Sequence, residues 1–200
     1  MDAGVEQALG GSAAVFEATF FSNRYDDLIV AVGAGSSAVS RYRTDNVANA
    51  SARGVETGVR WQSARGLAVR AAWTLMHTEV LGLDAAPSRG PGFFKVGDAL
   101  VRRPRQQGFA EVTWSGARGN AFFTVGGRGR MSDLEPNYAS SIFSNPGYAT
   151  VSLGGAITIS RHLEGYARLM NAADRRYEEV LGYPALGRTA SVGIRDAAGR

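Results

Sequence analysis

From Trp61 to Arg130 runs of side chains that alternate with a period of two are separated in turn by a short connection and a long one. In Arg53–Gln62, Val55, Thr57, Val59 and Trp61 oppose Glu56, Gly58, Arg60 and Gln62. Leu67–Val80 repeats the pattern, with Leu67, Val69, Ala71, Trp73 and Leu75 opposite Ala68, Arg70, Ala72, Thr74 and Met76. Period two is the signature of a strand with two unlike faces. Runs this long, joined alternately by Ser63–Gly66, Leu81–Ala99 and Gly116–Gly119, predict an antiparallel wall whose two ends differ.

The rest of the chain extends the wall. Strands are expected over Asp2–Leu9, Ala13–Asn23, Leu28–Gly33, Arg103–Ser115, Asn120–Met131, Tyr148–Ser160, Leu163–Ala173 and Arg188–Arg195. Arg24–Asp27 reads as a break and hairpin tip, with Asp26 and Asp27 setting the turn through side-chain to backbone bonds. Ala34–Asn49 is polar and rich in small residues, with room for a short strand around Val39–Arg43. Pro136 and Pro146 argue against regular structure through Ser132–Gly147. Short turns at Gly10–Ser12, Ser63–Gly66, Gly116–Gly119 and Arg161–His162 share one end, and Leu81–Ala99, Ser132–Gly147 and Asp174–Gly187 share the other. About ten strands result, each near the length that crosses a bilayer when tilted.

A soluble sandwich would pack its apolar faces about 10 Å apart and needs no alternation of loop length. A membrane barrel pairs every backbone donor within the wall and turns its apolar face to lipid. Glu56, Arg60, Arg70, Glu164 and Arg168 on the opposite face require water or mutual pairing, which a wide lumen supplies. The expected fold is therefore all-β, an antiparallel transmembrane β-barrel.

Composition narrows function. Lys95 is the one lysine among 22 basic residues, and the arginines are scattered, which argues against a nucleic-acid face despite the net charge of +4. Without cysteine, and with His77 and His162 far apart, no metal site is expected. Asp26/Asp27 and Glu178/Glu179 are adjacent pairs in turns with no nucleophile beside them, and no triad or phosphate loop occurs. No enzyme, no catalytic residue and no cofactor are expected. The first residues carry neither a positive start nor an apolar signal core, and no apolar run is long enough for a membrane helix.

Several segments carry a family resemblance. Asp2-Ala3-Gly4-Val5-Glu6-Gln7, Phe20-Phe21-Ser22-Asn23-Arg24-Tyr25-Asp26-Asp27-Leu28-Ile29, Asn46 to Glu56, and Tyr166 to Val180 followed by Gly182-Tyr183-Pro184 resemble, in order and spacing, the C-terminal barrel of TonB-dependent outer-membrane receptors of the cobalamin and siderophore type. The resemblance implies an uptake receptor in the bacterial outer membrane, driven through the TonB complex and inserted by the barrel-assembly machinery. It also implies a 22-stranded barrel around an N-terminal plug. Since the first residues already resemble a late barrel segment, residues 1–195 are expected to be the C-terminal part of that barrel, lacking the plug. Residues 196–200 are expected to form a disordered tail, where the family usually ends in an aromatic strand. An independent small outer-membrane pore or structural barrel is the alternative.

Candidate ligand contacts follow from charge and placement. Arg102, Arg103 and Arg105 flank Pro104 at a strand entry and would offer a basic rim to an anionic small molecule or metal chelate, although lipid headgroups and plain strand entry also account for them. Arg175, Arg176, Tyr177 and Glu178 lie in a dense charged loop whose default reading is a solvated surface. Trp61, Trp73 and Trp114 are expected at the lipid interface, where amphipathic rings are favoured, with Tyr148 and Tyr166 as weaker members of that belt.

Overall fold

The computed structural model describes residues 1–10, 13–33, 42–83, 94–134 and 142–196. Thirteen strands occur among them: β1 (Asp2–Leu9), β2 (Ala14–Gly33), β3 (Tyr42–Gln62), β4 (Leu67–Gly82), β5 (Gln106–Gly116), β6 (Gly119–Arg128), β7 (Met131–Leu134), β8 (Ile142–Asn145), β9 (Tyr148–Ser160), β10 (Leu163–Met170), β11 (Glu178–Val180), β12 (Tyr183–Pro184) and β13 (Thr189–Asp196). Nine of them form one antiparallel sheet in the order β1-β2-β3-β4-β5-β6-β9-β10-β13. The hairpins β7–β8 and β11–β12 stand apart from it. Among the described residues β1 and β13 are its two edges, so the wall is an open arc rather than a closed barrel.

Register assigns the faces. One cross-strand row reads Leu9, Ala14, Trp61, Val69, Val112, Phe123, Leu153, Leu169 and Ala190. The row Phe20–Val55–Leu75 lies toward the long-connection end, and beyond it the same face turns polar at Ser22–Arg53–His77. A band of apolar side chains thus ends abruptly. Its large members are open to the surroundings, Trp73 at 50%, Phe123 at 46% and Ile157 at 64%. No second sheet covers this band among the described residues, which removes the sandwich reading.

The other face holds the charges. Arg60 pairs with Glu17 and approaches Glu6 at 3.8 Å, Arg70 lies 3.5 Å from Glu111, and Arg195 pairs with Glu164. Glu111 also accepts from Thr124 Oγ1 at 3.4 Å. Arg60 and Arg70 face one another across β3 and β4, so each needs the acid on its far side. Such half-exposed pairs contribute at most about 1 kcal/mol each. Their value lies in making this face tolerable beside water.

The connecting loops confirm which face is inner. Leu100 N donates to Thr78 Oγ1 at 3.1 Å, and Phe94 and Leu100 pack with Ala50, Val80 and Leu134 in a buried cluster joined by Leu28, Val101 and Ile142. These contacts all lie on the charged side of the wall, near its long-connection end. Full burial of an aliphatic side chain such as Val80 contributes about 1.5–3 kcal/mol. The protein's small water-excluded core therefore lies beneath folded loops.

Short turns cap the other end. Gly66 has a φ of +78°, and a Cβ there would fall 1.9 Å from the Ser115 carbonyl oxygen, so the β3–β4 turn admits no side chain at this position. The turns after β1, β3, β5 and β9 share this end, and the long connections share the opposite one, as the sequence predicts.

Four expectations change. Arg24–Asp27 is not a hairpin tip: β2 runs through it, and Asp27, at φ +55°, is passed over by the ladder between Asp26↔Asn49 and Leu28↔Val47. β5 begins at Gln106, which leaves Arg103 and Arg105 in the preceding loop. Ser132–Gly147 and Asp174–Gly187 each contain a hairpin, because Pro146 follows β8 and Pro184 ends β12, where no interior ladder donor is lost. The sheet has nine strands where about ten are expected, since the residues on either side of Arg24–Asp27 are one strand. The expected turn residues Gly11 and Ser12, most of Val39–Arg43 and the stretch 197–200 lie outside the described residues, while β13 continues through Asp196.

Candidate functional site at the long-loop end

The long connections meet around Asp133, whose side chain has no exposed surface. A carboxylate in this position must be fully bonded or it would destabilise the fold. Four donors reach it: Arg102 Nε at 2.8 Å, Leu134 N at 2.8 Å, Leu181 N at 2.8 Å and Asn145 Nδ2 at 3.2 Å. They come from three separate connections. Burial pushes the Asp133 carboxyl up, but the Arg102 guanidinium with the Leu181, Asn145 and Leu134 donors more than offsets this and holds it below the usual carboxylate range. Arg102 reaches this acid from a left-handed backbone at φ +56°.

A second set of bonds joins this group to the wall. Asn145 Nδ2 also donates to the Glu178 carbonyl at 3.3 Å, and the same carbonyl accepts from Arg128 Nη2 at 2.7 Å. Arg128 further reaches the carbonyls of Gly129, Pro146 and Glu179 and lies 5.0 Å over the Tyr148 ring. Tyr148 stacks on Tyr177 at 3.9 Å, and its hydroxyl donates to Glu179. The β11–β12 hairpin is thereby fixed to the tops of β6 and β9. Farther along, Asn171 holds Arg175 from both sides, accepting from its N–H and donating to its carbonyl, each at 2.9 Å.

Beside the Asp133 group, the inner wall has a concavity of about 510 Å³. Thr19, Phe21, Asn23 and Tyr25 line it from β2, Glu56 from β3, Met76 and Thr78 from β4, and Leu100 and Arg103 from the loop above. It combines aromatic surface, hydrogen-bonding groups and both charge signs. That set can hold a polar ligand with an apolar body.

The sequence-derived candidates meet different fates. Arg102 is committed to Asp133, whereas Arg103 lines the concavity while donating to the Arg102 carbonyl at 3.2 Å. Arg105 is exposed, and its carbonyl accepts from Met76 N. Arg175 and Arg176 are exposed, Tyr177 is spent on the Tyr148 stack, and the Glu178 carboxylate caps Gly182 N at 2.7 Å. Trp61, Trp73 and Trp114 all lie on the apolar face, Trp61 and Trp114 next to the short turns and Trp73 one row below Leu75. Tyr148 and Tyr166 point to the inner face instead, so the expected place in the lipid belt is withdrawn for both; a Cβ on Gly193 would fall within 2.7 Å of the Tyr166 ring. Sequence reasoning missed Asp133, Asn145 and Arg128, each a single polar residue in a long connection or at a strand end with no motif around it, and gave Asn171 no role although it lies within the Tyr166–Val180 motif. Among the described residues no cluster of acids and histidines suits a metal ion.

Comparison with known proteins gives this geometry a context. A family model described as TonB dependent receptor-like, beta-barrel, matches residues 1–172. The curated proteins offer no match. Among solved structures, the siderophore receptor PiuA from Acinetobacter baumannii superimposes with a TM-score of 0.75 at 14% identity, over 98% of this chain and 28% of that one. The ferric enterobactin receptor PfeA from Pseudomonas aeruginosa, as a G324V mutant, gives 0.66 at 21% identity over 98% and 30%. The copper transporter OprC gives 0.68 at 18% over 96% and 30%. The chain spans less than a third of the length of each of these structures.

Proposed function

Because this chain belongs to the TonB-dependent receptor β-barrel family, which consists of outer-membrane transport receptors rather than enzymes, we propose that it forms the late part of the wall of an active uptake receptor. The cargo is a siderophore, a cobalamin or a similar scarce chelate. The neighbours described as siderophore receptors and a copper transporter support that class. In this reading the apolar band faces outer-membrane lipid, with Trp61, Trp73 and Trp114 in its interfacial belts, and the barrel-assembly machinery inserts it. The charged face encloses a plug through which the TonB complex acts. Ligand meets the loop end, where Arg103 lines the inner concavity and Arg105, Arg175 and Arg176 are exposed on the connections; Arg102, Tyr177 and Glu178 shape that rim.

Strand direction is the observation that carries the proposal. Nine strands joined by antiparallel ladders leave β1 and β13 running the same way. A direct β1–β13 ladder would be parallel, and a second copy inserted in the same orientation would offer the same parallel junction. An all-antiparallel wall closes only around an odd number of additional strands. Since unpaired backbone in lipid is costly, this supports a part of a larger barrel over an independent small pore.

The test is uptake by the source bacterium. Deleting the gene should abolish accumulation of one labelled ligand among ferric siderophores, copper and cobalamin, and collapsing the proton gradient in the parent strain should have the same effect. Unchanged uptake of all three classes would contradict the proposal.

A further inference from the structure

Arg102, Asp133, Asn145, the Glu178 carbonyl and Arg128 form one uninterrupted chain of polar contacts. It joins four pieces of the molecule: the 94–105 loop, the β7–β8 hairpin, the β11–β12 hairpin and the top of β6. Three of its four links join a side chain to a segment distant in sequence, Arg102 to Asp133 across 31 positions, Asn145 to Glu178 across 33 and Arg128 to Glu178 across 50, and the fourth, Asn145 to Asp133, ties β8 to β7. The central acid is wholly enclosed, so it cannot exchange a lost partner for water.

We propose that Asp133 is the positioning residue of the ligand-contacting rim, and that it makes the three long connections a single cooperative unit rather than three independent flaps. The idea rests on the reading of this end as the ligand-facing rim, but the coupling itself is present without ligand. Three features of the site carry it. The donors to Asp133 include two backbone N–H groups, Leu134 and Leu181, on different hairpins, so its carboxylate fixes main-chain positions and not merely side chains. Arg102, which supplies the countercharge, immediately precedes Arg103 in the concavity wall, so release of Arg102 moves a candidate contact directly. The Glu178 carbonyl accepts from both Asn145 and Arg128, so the far hairpin is held by the acid's group and by the barrel wall together.

The consequence is concerted behaviour. Loss of any one partner leaves a buried charge short of a donor, and the cost spreads to every segment that shares the acid. Removing Arg102 should therefore loosen residues 178–184, although Arg102 does not touch them.

Hydrogen exchange with mass-spectrometric readout on the complete barrel of the proposed receptor in lipid vesicles, without added ligand, tests this. In Arg102→Met, exchange should rise on the order of tenfold in peptides covering 94–105, 131–134, 142–145 and 178–184 together, with peptides of β9 and β10 unchanged. Arg102→Lys should restore part of the protection in all four. Asn145→Ala, which removes another donor to the same acid, should likewise raise exchange in all four segments, with 178–184 affected most because the Glu178 carbonyl loses a donor too. An increase confined to 94–105 in Arg102→Met would overturn the proposal. Because the readout needs no ligand and no transport, failure here is separable from failure of the receptor assignment.

Discussion

Arg102 Nε donates to Asp133 Oδ1 at 2.8 Å, and the acceptor belongs to a carboxylate with no exposed surface. A cation for which the sequence offers ligand, lipid headgroup or plain strand entry thus also holds loops together. In the proposed receptor, the ligand-facing rim is built on this bond.

The bond gives the loops a defined acid limit. Asp133 has a folded pKa below its unfolded value, so its contribution is complete above the unfolded carboxylate pKa of about 3.9 and is lost as pH falls through the lowered folded value. The near-ultraviolet circular dichroism of the Tyr148–Tyr177 stack, which the same hairpin carries, should persist through mildly acidic pH and disappear only below about 4. Loss of the signal between pH 5 and 7 would be inconsistent with a depressed Asp133.

Arg128 fixes the β11–β12 hairpin through the carbonyls of Glu178 and Glu179. Arg128→Met should weaken hairpin docking by roughly 1.5–3 kcal/mol, since hydrogen bonds from a charged group are lost while the Asn145 bond to the Glu178 carbonyl remains. Trypsin should then cut at Arg175 and Arg176 at least about tenfold faster, with cleavage elsewhere unaltered.

Val112 and Thr113 are adjacent but face opposite sides of the wall. Val112→Arg should cost about 2–4 kcal/mol in lipid if its row lies near the bilayer midplane, and Thr113→Arg clearly less. Urea titration of the complete barrel folded in vesicles distinguishes the two. Equal costs would contradict the face assignment.

Gly66→Ala should destabilise the protein by more than about 1 kcal/mol, because the residue combines a left-handed φ with a blocked Cβ position. Gly97→Ala, also left-handed at φ +94° but with open space around its Cβ, should cost less. The comparison separates backbone strain from collision.

Much of the wall was legible in the sequence because its physics is local. A strand with lipid on one side and water on the other must alternate, and Val55–Trp61 and Leu67–Leu75 do so without exception. The alternation of loop length followed from chain reversal alone. Arg24–Asp27 misled because four polar residues look like a turn, whereas β3 is long enough to keep pairing through them. The rim was much less legible. Nothing near Asp133 in the sequence distinguishes an enclosed acid from a solvated one, because its partners lie at Arg102, Asn145 and Leu181, brought together only by the fold. The same long-range pairing ties Arg102 to Asp133 through Nε, with 47% of its side chain still exposed, and leaves Arg103, its neighbour, beside the concavity.

The central claim is that the apolar face meets lipid, and the chain carries its own reporters: all 3 tryptophans, Trp61, Trp73 and Trp114, lie on that face. Fluorescence of the complete barrel, keeping these as its only tryptophans and folded in vesicles, should be strongly quenched by brominated acyl chains and weakly by aqueous iodide. Strong quenching by iodide, with none by the brominated lipid, would show that the face is wet and the membrane wall is wrong.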